Sequence, residues 1–426
     1  MSRVTQVLNR HLRPFVLNTF RSLNGMPVPS GSVDVMTCES DSQACRIIEP
    51  EPLGKESISA RAISGDPILV EKTLEMIPDL VVQKEYVQEL VGEKQINPKE
   101  FVCVLDQGRV AHASGLVMTP DNRVLEDVSC IKFDSDLPTN PLLLRYLPRP
   151  AHVSSSAVFL TCLMPYNYYH WVLEALPRLA IYASAGIAAD CVYAPVQKRF
   201  QQESLRLLGF PASRIFRATR NSHVLFDWLA ISYSKPPCKS RTIGSLCNSR
   251  TIDFLYHSFA SHHGISQPKE LRVFISRRKR GKREITNDDA VFEVLQPLGF
   301  KRYDLETMSV SEQVKLFYNA ECVVGPHGAG LVNIAFCRQG TKVIEINTPY
   351  RVSTCFSDIA HYRGLKYQLH LATPDSKKFF NFDSKRGVGD SDMTVEPAAF
   401  GEIVQIFLKT PLAADQSSEF KQFLKI

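Results

Sequence analysis

The chain has no C-x-x-C pair and no other cysteine spacing that would hold zinc, although it carries 11 cysteines. An odd number of thiols, several inside apolar strings (Cys162, Cys191, Cys322, Cys337), argues against a disulfide-built scaffold. Buried thiols in a reducing compartment are the expectation, either the cytosol or the cytosolic face of a membrane. No evident secretory signal is present, and no stretch approaches 18 uninterrupted apolar residues, so a spanning helix is not expected. Internal repeats and long low-complexity tracts are also missing. The charge excess is small, +6 from 50 basic and 44 acidic residues, which speaks for local anionic ligands rather than a dedicated nucleic-acid binder. At 44% hydrophobic and 22% charged, 426 residues suffice for two or three domains with substantial cores.

Acids are missing altogether from residues 1–33, while Arg3, Arg10, Arg13 and Arg21 are basic. Val4, Leu8, Leu12 and Phe15 fall at helical spacing, interrupted by Pro14. The leading reading is a helix folded against the rest of the protein. Peripheral contact with an anionic membrane surface and a transit peptide are the alternatives.

The dinucleotide fingerprint G-x-G-x-x-G is lacking too. In its place AECVVGPHGAGLVNIAFC, from Ala320 to Cys337, reads as a buried strand at Cys322 to Val324 breaking into a turn with Gly325, Gly328 and Gly330. An apolar helix is expected from about Leu331, with Gly340 as its cap, and KVIEIN supplies the next strand with Glu345 near its carboxyl end. Strand, glycine turn, helix, strand with a terminal acid is the layout of a nucleotide site. Bare glycines let backbone N–H groups approach a phosphate, and the acid accepts from ribose hydroxyls. The alternative is a tight turn that needs positive φ and close helix–strand packing. His327, between two glycines, has no packing role in that alternative.

About fifty residues upstream, a strand at Arg272 to Ser276 runs into Arg277, Arg278, Lys279, Arg280, Lys282 and Arg283. Asn287 or Asp288 caps a helix towards Leu295, and Gly299 ends the unit. If both strands belong to one parallel sheet, this basic loop faces the same crevice as the glycine turn. Arg277 and Arg283 are the expected diphosphate ligands, since the planar guanidinium offers paired donors; the rest are read as solvated charge. KRYDL then reads as a strand, Ser309 and Glu312 as a capping box, and VSEQVKLFYNA as an amphipathic helix. Lys269 to Asn347 is thus three strand–helix repeats and a fourth strand, which argues for a parallel sheet with helices on its faces.

These segments together resemble glycosyltransferase family 61. HWVLEALPRL at 170–179, FISRR…REITN at 274–287, GPHGAGLVN at 325–333 and VIEIN at 343–347 stand in the family's order, and the likeness spans roughly Val102 to Thr373. The segment GRVAHASGLVMTPDNRVLEDVS resembles the family's N-terminal β region. The resemblance implies an α/β protein of GT-B type, two Rossmann-like domains facing an interdomain cleft. It also implies a nucleotide-sugar donor, often UDP-linked, an inverting mechanism and no required metal or other cofactor. Carried onto these motifs, the donor site comprises Arg277, Arg283, Asn287, Gly325, His327, Gly328, Ala329, Gly330, Asn333 and Glu345. If the segment from Tyr168 is helical, His170 and Glu174 stand one turn apart on one face, and either can deprotonate an acceptor hydroxyl; a helix whose His only bonds within the core is the alternative. The catalytic set is then His170, Glu174 and His327.

Two D-x-D matches, Asp134-Ser135-Asp136 and Asp390-Ser391-Asp392, are the pattern that metal-dependent transferases use. Both read as surface turns. The expected organisation is a basic helix and irregular segment at 1–59, an acceptor-side α/β domain at 60–240, a linker at 235–250, a nucleotide-sugar domain at 251–395, and a closing helix at 396–426 that crosses back. The expected partners are a nucleotide-sugar and a glycan, lipid-linked or protein acceptor, without nucleic acid. Two other readings stand beside the transferase: a nucleotide-dependent oxidoreductase, and an inactive nucleotide-sugar-binding scaffold.

Overall fold

The computed structural model describes residues 31–33, 38–39, 44–50, 56–58, 94–96, 99–113, 115–125, 128–129, 147, 149–162, 164–219, 221–235, 247–260, 270–278, 281–348, 353, 355–375 and 391–410. The Arg-rich segment 1–30 and the Asp134–Asp136 pattern lie outside these residues. The chain forms two compact α/β units, residues 1–52 with 98–235, and residues 53–97 with 236–426. The change of unit after Lys235 falls at the head of the proline-rich stretch read as a linker.

The first unit is built on one ten-stranded sheet. Its strands are β1 (Gly31–Val33), β2 (Cys45–Ile48), β5 (Lys99–Asp106), β6 (Arg109–Ala111), β7 (Leu116–Met118), β8 (Arg123–Leu125), β9 (Ala151–Phe159), β10 (Cys191–Ala194), β11 (Ile215–Arg217) and β12 (His223–Lys235). Strand β12 is the spine. It pairs in parallel with β9, which continues through β10 to β11, also in parallel. On its other side β12 pairs antiparallel with β6 and then with β5. Half of this sheet is therefore antiparallel, and in that half the unit departs from a Rossmann-like layout. The reason is local: turns with positive φ at His112 and Asn122 fold β6, β7 and β8 back on one another without crossover helices, while β5 and β6 follow one another along β12, interrupted at Gln107 with φ of 54°. The stretch 31–60, read as irregular, contains β1, β2 and β3 (Glu56–Ile58); β3 pairs with β4 (Lys94–Ile96) in a small sheet of the second unit.

The main sheet of the second unit has five parallel strands: β13 (Leu271–Ile275), β14 (Phe300–Tyr303), β15 (Ala320–Pro326), β16 (Lys342–Asn347) and β17 (Lys366–Leu371). Between them run helices Asp288–Leu295, Val310–Tyr318, Ala329–Phe336 and Cys355–Tyr362, the alternation expected of the sequence with one further repeat. Ser309 and Glu312 form the capping box, and Gly299 closes its unit with φ of 84°. The segment Ala329–Phe336 is a 3₁₀ helix, not the α-helix expected from Leu331, and Cys337 ends it in extended geometry. Gly340, with φ of 76°, serves instead as the left-handed residue of the turn into β16.

The helix Pro397–Lys409 packs on the second unit. Phe400, Val404 and Phe407, spaced to lie on one face, enter the core of the second unit with Val291 and Leu295. Gly401 makes that approach close: a Cβ there would stand 3.4 Å from Val294 Cβ.

Candidate active site

The strand order of the parallel sheet is β14-β13-β15-β16-β17. In chain order this is 2-1-3-4-5, so the connections leaving β13 and β15 diverge. The crevice outside the carboxyl ends of such a pair is where open α/β sheets bind ligands. The loops that open there are the two singled out in the sequence: 276–283 after β13, and 327–330 after β15.

The three glycines of the turn answer to space rather than to backbone conformation. None is in the left-handed region; Gly328 is extended, with φ of 170°. Each receives a side chain that lies at or just beyond the carboxyl end of β13 or β14. A Cβ on Gly325 would fall 2.8 Å from Ile275 Cβ, one on Gly330 would fall 2.8 Å from Leu305 Cδ1, and one on Gly328 would fall 1.8 Å from Arg277 Nη1. The Arg277 guanidinium therefore lies directly against the turn, half-buried, with Gly328 as its bed. Ala329 and Gly330 at the tip are partly exposed.

The basic loop sorts into different roles. Arg278 is exposed and pairs with Asp288 at 3.3 Å and Asp289 at 2.9 Å, together with Arg302. Burial pushes the Asp288 carboxyl above its ordinary range, and Ser276, Arg302 and Arg278 pull it down. Lys282 is exposed, and Lys279 and Arg280 lie outside the described residues. Arg283 is half-buried and held at φ of 53°, a conformation that an L-residue adopts at a cost and that clusters at functional sites.

His327 follows the last residue of β15 and is 6% exposed. Its Nδ1 is 2.5 Å from Glu345 Oε1, and its ring meets Phe356 edge-on at 5.1 Å. The hydrogen bond selects the tautomer and turns Nε2 away from the carboxylate. Glu345 is fully buried, so it orients His327 and does not serve as the exposed ribose acceptor the sequence suggested. Its signal was present all along: a carboxylate inside a strand buried on both faces must be met by donors.

Two expected ligands make hydrogen bonds within the protein. Asn287 donates from Nδ2 to the Val395 carbonyl at 2.6 Å and accepts from the Val395 N–H at 3.1 Å, and so fastens the loop to residues 391–395. Asn333 is fully buried and donates to Gln313 Oε1 at 2.7 Å, tying the 3₁₀ helix to helix Val310–Tyr318. Asp392 also corrects the surface-turn reading. It is 2% exposed, and its Oδ1 accepts from the Glu284 N–H at 3.0 Å. Asp390 lies outside the described residues.

In the first unit, His170 and Glu174 form a second dyad beyond the carboxyl end of β9. Nδ1 of His170 is 2.6 Å from Glu174 Oε1, with side-chain exposures of 6% and 10%. Asn167 caps the helix at Tyr168–His170, and Trp171–Ala175 then widens into a π turn closed by the Leu176 N–H on the Trp171 carbonyl. Pro177 explains the widening, because it has no N–H to offer the Leu173 carbonyl. Such π turns are frequent at functional sites. Trp171 is fully buried and donates to Ser204 Oγ at 2.8 Å, which anchors the helix that presents the dyad. Among the described residues no group of three or more His, Cys, Asp or Glu side chains is placed to hold a metal ion.

A profile of the family described as Glycosyltransferase 61 matches residues 168–344, which encloses His170, Glu174, Arg277 and His327 and stops one residue short of Glu345. The EGF domain-specific O-linked N-acetylglucosamine transferase of Drosophila melanogaster is 27% identical over 122 residues, 27% of this chain and 22% of that protein. A Beta-1,2-xylosyltransferase of Arabidopsis thaliana is 36% identical over 69 residues, 16% of this chain and 13% of that protein. A xylan glycosyltransferase of Arabidopsis thaliana is 25% identical over 108 residues, 24% and 22% of the two chains. The chain thus spans less than a quarter of the length of each of these three relatives.

Proposed function

We propose, from the premise that this chain belongs to glycosyltransferase family 61 through residues 168–344, that it transfers a sugar from a nucleotide-sugar donor to a hydroxyl acceptor. The observation that carries this reading is the Arg277 guanidinium laid on Gly328 at the switch point of a parallel sheet, beside a His whose tautomer is fixed by Glu345. A leaving diphosphate gathers charge as the glycosidic bond breaks. Arg277, Arg283, the N–H groups of the turn and His327, in the imidazolium form that the Glu345 carboxylate stabilises, supply fixed donors for it. The donor is UDP-linked, and the reaction inverts at the anomeric carbon. The acceptor is a glycan or protein hydroxyl, the class named for the relatives. In His170 and Glu174 the geometry favours one division of labour: Glu174 holds Nδ1, and Nε2 of His170 takes the acceptor proton. A cytosolic setting goes with this reading, in keeping with the burial of eight of the nine described cysteines.

UDP titration of the full chain tests the donor site. Arg277→Ala is expected to weaken binding by about 1.5–3 kcal/mol, the scale of a hydrogen bond to a charged group. Gly328→Ala is expected to do nearly the same, because its methyl group takes the place of the guanidinium. In the Arg277→Ala background the glycine substitution should then add little, which is the signature of a shared interaction. Unchanged UDP affinity in Arg277→Ala removes the basic loop from the site.

Metal is not needed in this scheme, since cationic side chains and backbone dipoles face the diphosphate. Turnover is therefore expected to survive EDTA. Complete inhibition reversed by Mn²⁺ would refute the metal-independent reading.

A further inference from the structure

Glu345 sits in the middle of β16 with no exposure, and three groups meet its carboxylate. His327 Nδ1 and Asn347 Nδ2 approach Oε1 at 2.5 and 3.3 Å, and the Tyr367 hydroxyl donates to Oε2 at 2.5 Å. Tyr367 comes from the neighbouring strand β17, where it stands opposite Val343, two residues before Glu345. Period two along β16 puts Val343, Glu345 and Asn347 on one face, so Tyr367 reaches the carboxylate diagonally. The tyrosine is 6% exposed. Burial and the adjacent Glu345 carboxylate push its phenol well above the ordinary range, so it acts as a proton donor in the bond and not as a base.

We propose that Tyr367 is a positioning residue for the donor site, a third member of the chain Tyr367–Glu345–His327 that locks the carboxylate and, through it, the tautomer and orientation of His327. With Oε2 held by the phenol, the carboxylate keeps one rotamer and turns Oε1 to the imidazole. Nε2 is then the nitrogen presented away from the buried side. The surroundings agree with a fixed ring: Phe356 packs on it edge-on, and Arg277 lies against Gly328 next to it. Asp358 and Cys355, on the helix that carries Phe356, act on the phenol electrostatically as well, and both disfavour its ionisation. No sequence signal marks this tyrosine, since KYQLHL alone does not tell which strand it will lie beside.

The test reads His327 itself. Exchange of the imidazole C2–H, followed by mass spectrometry on the full chain without nucleotide, gives its titration midpoint. In Tyr367→Phe the carboxylate loses one donor and holds the imidazolium more tightly, so the midpoint is expected to rise; an unchanged midpoint overturns the proposal. Turnover at saturating donor is expected to fall about tenfold, the lower end of the scale for partners that orient functional histidines, with the donor KM changed far less. In the wild-type chain, ¹⁵N shifts are expected to place the neutral ring's proton on Nδ1. A proton on Nε2 overturns the proposal even if Tyr367→Phe does not fold. The kinetic part rests on His327 serving the diphosphate. A raised midpoint with unaltered turnover and UDP affinity supports the positioning chain and rejects that reading of His327.

Discussion

Replacing His327 with alanine is expected to lower kcat/KM roughly 100- to 1,000-fold, the scale for losing one fixed donor to a developing anion. The diphosphate is present before and during the reaction, so UDP affinity should fall with turnover, unlike the effect of a group that acts only in the transition state. The reason lies in preorganisation. Glu345 holds the ring in place before any ligand arrives, so the Nε2–H of the imidazolium needs no reorganisation when charge appears. Calorimetric titration of UDP and steady-state rates with a nucleotide-sugar provide the two readouts, and a thermal melt checks that the space left beside Phe356 has not unfolded the unit. Wild-type values for both would take His327 out of the site.

The second large effect is expected at the other dyad, with the opposite signature. His170→Ala should depress kcat roughly 100- to 10,000-fold, the range for general-base catalysis, while UDP affinity stays near that of the wild type. Glu174→Gln should cost less, because an amide still offers an oxygen at the position that meets Nδ1 but stabilises the imidazolium poorly. Retention of wild-type kcat in both variants with the true acceptor would make the helix at 168–175 a packing element. Parallel losses of donor affinity and rate would instead mean that the fold has been damaged. The split between affinity and rate is thus what separates the two dyads from each other and from nonspecific destabilisation.

Much of the second unit was legible from sequence, for a physical reason. Strand–helix repeats are local patterns, and Ser309 with Glu312 or Gly299 with its left-handed φ act within a few residues. Arg277 and the glycine turn could be placed at one end of a sheet because each follows a strand. What remained hidden depends on which strands become neighbours. The order that brings β13 beside β15, and β17 beside β16, is a tertiary outcome, so neither the bed of Arg277 on Gly328 nor the reach of Tyr367 to Glu345 could be seen in advance. The internal partners of Asn287 and Asn333 were hidden for the same reason. A motif amide reads as a ligand until its partner, Val395 or Gln313, is known. Asp392 was misjudged because a D-S-D string in a Gly-rich stretch looks solvated, whereas its partner Glu284 lies 108 residues earlier.

That distance has a consequence for how the protein is made. The far limb of the basic loop is fastened to residues from 392 onward: Glu284 to Asp392 and Met393, Thr286 to Met393 and Thr394, and Asn287 to Val395. All five parallel strands have been synthesised by Leu371, so a nascent chain can complete its sheet while the loop that carries Arg283 still lacks its mooring. Closing so long a connection is entropically expensive, and little of that expense can be recovered until the final contacts form. Sheet assembly and the mooring of this loop are therefore expected to be separable events during synthesis, the second waiting for a short stretch of chain that belongs to neither the sheet nor the loop.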